Sequence, residues 1–180
     1  MLFLILSVLV INTTAQQVYC DADYLYYNGW CYKYYQTPTA RGSYDDLSFR
    51  CALENATLAP GDSAEEIMFL DAVSHNDVIT RTQNGDTMGL SMAAWQECLL
   101  LGAHRNPANM ATWITSQQQS ISYPWCPAVG NDNGQRNENC AIIVPRQTTP
   151  PCVADLWCGT PFSFYRYVCR KGPYVFWGKK

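Results

Sequence analysis

The first strong pattern along the chain is an apolar run over residues 2–11, broken only by Ser7 and followed by Asn12-Thr13-Thr14-Ala15 and the polar pair Gln16-Gln17. A bilayer span needs about 20 apolar residues, so this run is too short to cross a membrane. Thr13 and Ala15 are small residues at the two positions a signal peptidase reads. Residues 1–15 are therefore expected to be a signal peptide, although no Lys or Arg precedes the run. An uncleaved anchor or a buried strand is the competing reading. No other segment has the length and apolarity of a membrane span, so the mature chain, beginning near Gln16, is expected to be secreted and extracellular.

Beyond the leader, the pattern predicts strands, then helices, then an irregular stretch, then strands. Residues 24–35 read as two aromatic strands about Asn28-Gly29, a pair that accepts positive φ and favours a tight turn. A half-buried ribbon accounts for these aromatics more simply than a sugar-stacking platform does. Ser43 opens a helix with Asp45 and Asp46 in its first turn, where acidic groups suit the exposed amides. Tyr44, Leu47 and Cys51 fall on one face of it. A second helix starts at Ser63 with Glu66 in capping-box position, and Ile67, Leu70 and Val73, supported by Phe69, form its inward stripe. Over residues 74–97 the period fades, with Asn84-Gly85 as a turn. Leu99-Leu100-Leu101-Gly102 has the length of a buried strand. Residues 105–139 are rich in Asn, Gln, Ser and Gly and read as one long irregular loop, a feature that in a compact domain is usually functional or else a sign of misassignment. Residues 141–144 and 164–168 read as closing strands. Two short helices packed on a strand framework imply an α+β fold.

Composition narrows the class. A chain of 180 residues that is 48% hydrophobic and 15% charged is one domain with a real core, not a disordered segment. Its net charge of -3, with basic residues scattered singly or in pairs, excludes the basic stripe of a nucleic-acid binder. The nine cysteines call for an oxidising compartment or a metal. No two of them have the close spacing of a zinc knuckle, and His75 and His104 belong to no metal-binding run, so disulfides are expected. Spacing alone does not fix the pairing. An odd count leaves one cysteine over, as an unpaired or capped thiol or as the bridge of a disulfide-linked dimer. The chain has no Gly-x-Ser-x-Gly elbow and no phosphate loop, and the capping role explains Glu65-Glu66, so no enzymatic activity is expected.

Several segments together resemble the C-type lectin-like domain. Ser43-Tyr44-Asp45-Asp46-Leu47-Ser48-Phe49-Arg50-Cys51, Ala56-Thr57-Leu58-Ala59 and Ser63-Ala64-Glu65-Glu66 with Phe69-Leu70 look like its two-helix signature. Asn28-Gly29-Trp30-Cys31-Tyr32 is similar to its first strands and Leu100-Leu101-Gly102 to its Trp-Ile-Gly-Leu strand. Glu138-Asn139-Cys140-Ala141-Ile142-Ile143 resembles its Glu-Asn-Cys-Val strand, and Tyr165-Arg166-Tyr167-Val168-Cys169 its last strand. The match covers residues 20–170, leaving residues 171–180 as a tail that covers a sheet edge, touches a partner or stays loose. Single-domain secreted members of this kind are abundant in invertebrates such as nematodes.

The resemblance carries further implications. It pairs Cys20 with Cys31, Cys51 with Cys169 and Cys140 with Cys158, and a fourth bridge is expected among Cys98, Cys126 and Cys152. Sugar-binding relatives hold calcium through a Glu-Pro-Asn triplet, a Glu two residues before the third cysteine, and the Asn and Asp of a Trp-Asn-Asp triplet. Here Glu138 and Asp155 occupy two of those positions, while Val153-Ala154 replaces Trp-Asn. The triplet falls on Gly130-Asn131-Asp132 or on Val129-Gly130-Asn131, and either register loses the Glu and the proline. Calcium takes six to eight oxygen ligands, and Asn131 or Asp132 with Glu138 and Asp155 is a degenerate set. The expectation is a recognition module for a glycan or an extracellular protein, without cofactor and without the standard calcium-dependent sugar site. The alternative is a calcium-dependent lectin with an altered site, using Asp132, Glu138 and Asp155 as metal ligands. Trp125, with Trp113, Tyr123 and the glutamines Gln117, Gln118 and Gln119, is a second candidate contact surface, against the simpler reading of buried core aromatics. Asn55-Ala56-Thr57 is a glycosylation sequon.

Overall fold

The computed structural model describes residues 17–36, 41–83, 98–127, 138–144, 150–158 and 164–176. The expected signal peptide, the Asn84-Gly85 turn, Asn131 and Asp132 lie outside the described residues.

Asn28 and Gly29 take φ values of 43° and 86°, the left-handed pair that a two-residue hairpin turn demands. They join β2 (Leu25–Tyr27) to β3 (Trp30–Gln36), and β1 (Gln17–Tyr19) precedes them. Ser43 caps α1 (Tyr44–Leu53): its hydroxyl accepts from the Asp46 N–H at 3.2 Å, and the Asp46 carboxylate accepts from the Ser43 N–H at 3.0 Å. Leu47 and Cys51 on its inner face are fully buried. After β4 (Thr57–Leu58), α2 (Ala64–Gln83) begins where Ser63 accepts from the Glu66 N–H at 3.1 Å. This helix continues well past Val73, through the stretch where the period was expected to fade.

The remaining strands are β5 (Leu99–Asn106), β6 (Asn109–Thr115), β7 (Ser120–Ile121), β8 (Cys140–Ile143), β9 (Val153–Leu156), β10 (Arg166–Lys171) and β11 (Tyr174–Phe176). One mixed sheet runs in the order β2-β3-β10-β5-β6-β7, with β8 and β9 branching from β5 and β4 pairing with β10. β5 lies at its centre, parallel to β10 and antiparallel to β6 and β8. Leu99, Leu100, Leu101 and Ala103 are all buried, because both faces of β5 are covered. Gly102 is fixed by close approach: a β-carbon there would lie 2.1 Å from the Leu58 backbone oxygen, and its N–H donates to the Ala59 carbonyl at 2.8 Å.

One expectation needs correction, and one left open is narrowed. The chain from Arg105 is not one irregular loop: β5, β6 and β7 continue through Ile121, with the Asn106 side-chain oxygen accepting from the Ala108 N–H at 2.9 Å to shape the hairpin tip. The polar residues of β6 misled because its outer half, Asn109 to Ala111, faces solvent. The described part of the tail is also ordered, since β11 pairs antiparallel with β1 and sets the Tyr19 and Tyr174 rings 6.4 Å apart.

Cys20–Cys31, Cys51–Cys169, Cys140–Cys158 and Cys126–Cys152 form disulfides, and Cys98 is in none of them. The Cys51–Cys169 bridge closes a separation of 118 residues, for which the chain-entropy model gives about 5 kcal/mol. It joins α1 to the central strand β10.

Candidate functional site

Alternation along β5 places Arg105 on the same strand face as Leu99, Leu101 and Ala103. β9 lies beside β8 with Asp155 opposite Ala141. These placements bring a guanidinium to a carboxylate: Arg105 Nη2 lies 2.5 Å from Asp155 Oδ2, with side-chain exposures of 4% and 0%. The same guanidinium donates through Nε to the Glu138 carbonyl at 2.8 Å and through Nη1 to the Met110 carbonyl at 2.9 Å. Its carbon sits 4.7 Å from the Trp113 ring centroid, a cation–π distance. The Arg105 N–H donates to the Asn139 carbonyl at 3.0 Å, which ties β5 to the residues just before β8.

Glu138 and Asp155, metal ligands in the alternative reading of an altered calcium site, thus converge on Arg105. Asp155 gives an oxygen to the guanidinium, and Glu138 contributes its backbone carbonyl. A buried charge is stable only when paired and hydrogen-bonded, and Arg105 supplies the cation that Asp155 needs. Among the described residues, no group of three or more His, Cys, Asp or Glu side chains gathers as a metal would require.

Trp125 is half-buried. An isolated parallel bridge joins it to Val153, and the Cys126 N–H donates to the Val153 carbonyl at 2.9 Å. With the Cys126–Cys152 disulfide, these contacts fasten Trp125 and Cys126 to β9. Trp113 and Tyr123 are buried, and the Tyr123 hydroxyl donates to the Pro60 carbonyl at 2.5 Å. The Trp113 and Trp125 rings lie 5.1 Å apart and Tyr123 meets Trp125 edge-on at 5.4 Å. The trio packs together, while Gln117, Gln118 and Gln119 are exposed on the turn after β6.

Glu66 has a larger role than helix capping. Its carboxylate accepts from the Asp62 N–H at 2.8 Å, from the Tyr32 hydroxyl at 2.9 Å and from Arg170 Nη1 at 3.0 Å. Asp62 also accepts from Arg170 Nη1 at 2.8 Å, and Trp30 lies over the guanidinium at 4.2 Å. Burial raises the Glu66 carboxyl above its usual range, with the neighbouring Asp62 adding to the effect. Only its position after Ser63 was readable in the sequence, because Tyr32 and Arg170 arrive from distant strands. Arg105 left no comparable signal, because it follows the polar His104 beyond the apolar run of Leu99 to Ala103.

No family model and no curated protein sequence matches the chain. Solved structures do. A calcium-independent type II antifreeze protein superposes with TM-score 0.60 at 18% identity, covering 88% of this chain and 98% of that one. The cow C-type carbohydrate-recognition domain of CD23, solved in the presence of a GlcNAc2Man3 oligosaccharide, gives 0.60 at 19% identity over 87% of this chain and 98% of its own. The C-type lectin CEL-I from Cucumaria echinata gives 0.58 at 14% identity over 88% and 99%. The fold of this chain is that of the C-type lectin-like domain.

Proposed function

Starting from a C-type lectin-like fold, we propose that the chain is a secreted recognition module that binds a glycan or an extracellular protein without calcium and carries out no covalent chemistry. The observation that carries this reading is the Arg105–Asp155 pair at 2.5 Å. A calcium ion would have to compete with a guanidinium that already holds one Asp155 oxygen and two backbone carbonyls. Recognition is then left to the segment between Cys126 and Cys140, whose near end is held by the Cys126–Cys152 bridge.

The same reading includes removal of residues 1–15 on secretion and a glycan on Asn55. Asn55 supports its part by being exposed just beyond α1, at a φ of 55° that asparagine tolerates. Cys98 is 1% exposed, which disfavours it as the bridge of a disulfide-linked dimer.

A glycan array probed in calcium and again in chelator tests the reading. Signals that persist in chelator agree with it. Signals abolished by chelator would restore the altered calcium-dependent lectin, and silence in both conditions would direct the search to a protein ligand.

A further inference from the structure

A cleft of about 320 Å³ lies between the first turn of α1, the β5–β6 hairpin and the residue before β8. This volume is at the lower end of small-molecule pockets. Three side chains lining it each carry a buried polar atom with no hydrogen-bond partner among the described residues: Tyr44 Oη, His104 Nδ1 and Asn139 Oδ1. Buried polar atoms in native proteins are nearly always paired. These three come from three separate elements, so no single local irregularity explains them.

The charge on the wall indicates what would bind. Arg105 borders the cleft, but its guanidinium is occupied by Asp155, Glu138 and Met110. Asp46 is held in the α1 cap by Ser43, whereas the exposed Asp45 lines the cleft and has no ion-pair partner among the described residues. The available charge is therefore negative. Pro107 and Met110 add apolar surface, and the Met110 side chain is partly open at 42% residue exposure.

We propose that this cleft binds a small organic cation, a protonated amine with a short apolar body, its ammonium at Asp45 and its body against Met110 and Pro107. An ammonium carries three donors and no acceptor, which suits the exposed Asp45 carboxylate, whereas Tyr44 Oη, His104 Nδ1 and Asn139 Oδ1 lie beneath the cleft surface and reach a ligand only after a side-chain rotation. An anionic ligand would meet Asp45 with like charge. A neutral polyol would forgo the ion pair with Asp45. The site does not depend on the calcium-free recognition proposed above, and either can fail without the other.

The test is titration of the folded protein with n-butylammonium chloride, followed by calorimetry and by backbone amide shifts, with 1-butanol as the neutral counterpart. Expected are saturable binding, shifts centred on Asp45, His104 and Met110, and affinity about two- to fivefold weaker in Asp45→Asn, the loss of one solvent-exposed ion pair. A melting curve establishes that Asp45→Asn is folded. Absence of saturable binding, equal binding of 1-butanol, or unchanged affinity in Asp45→Asn would each overturn the proposal.

Discussion

Arg105 and Asp155, separated by 50 residues in sequence, meet at 2.5 Å with both side chains sealed from water. Removing one member of such a buried pair leaves the other charge uncompensated, which costs about 3–5 kcal/mol, whereas replacing both by apolar residues is often close to neutral. Arg105→Met and Asp155→Leu are therefore each expected to destabilise the protein by about that amount in chemical denaturation. The double variant is expected to lose less than either single one, though not to recover fully, because the Glu138 and Met110 carbonyls also lose their donor. Strictly additive losses would show that the two side chains are not coupled.

The pair also shows how far the sequence could be read. Both helix starts, the Asn28-Gly29 hairpin and three bridges follow from local patterns and the family resemblance, because caps, hairpin turns and cysteine order are local or linear features. Asp155 was readable as a carboxylate at a metal position. Its partner was not, because the contact depends on the register of β9 against β8 and of β8 against β5. The fourth bridge is a similar case. Cys126 and Cys152 meet only because Trp125 and Cys126 run beside β9.

Gly102 tests the packing of the central strand. A methyl group there would overlap the Leu58 backbone oxygen, and backbone cannot move aside as a flexible side chain can. Overpacking costs about 1–3 kcal/mol and occasionally more. Gly102→Ala is expected at or beyond the top of that range by urea denaturation, whereas Gly172→Ala, with open space around its α-carbon, is expected to be close to neutral.

Stability should fall as the solution is acidified through the histidine range. Burial holds the His104 imidazole below its ordinary pKa, and the Asp45 charge opposes this only in part. The unfolded chain therefore takes up the proton first. The contribution of neutral His104 is present above the unfolded pKa of about 6.5 and is lost as pH falls through the folded value. Denaturation midpoints measured between about pH 7.5 and pH 5 are expected to drop in the natural protein and to drop less in His104→Gln. Tyr44, Asp45 and Arg105, which surround the ring, remain in both proteins.

Cys98 provides a test of the covalent framework. A thiol that is 1% exposed should resist alkylation by N-ethylmaleimide until the protein is unfolded. It should then react at one site, while a non-reducing peptide map recovers the Cys126–Cys152 pair. Rapid labelling of Cys98 in the folded protein would contradict this placement.

The central claim is that a guanidinium takes the cation's place beside Asp155. Its most direct test is isothermal titration of calcium chloride into protein first stripped with chelator, paired with thermal melts in calcium and in chelator. The account predicts no saturable heat and superimposable melting curves. Saturable calcium binding accompanied by a rise in melting temperature would contradict it.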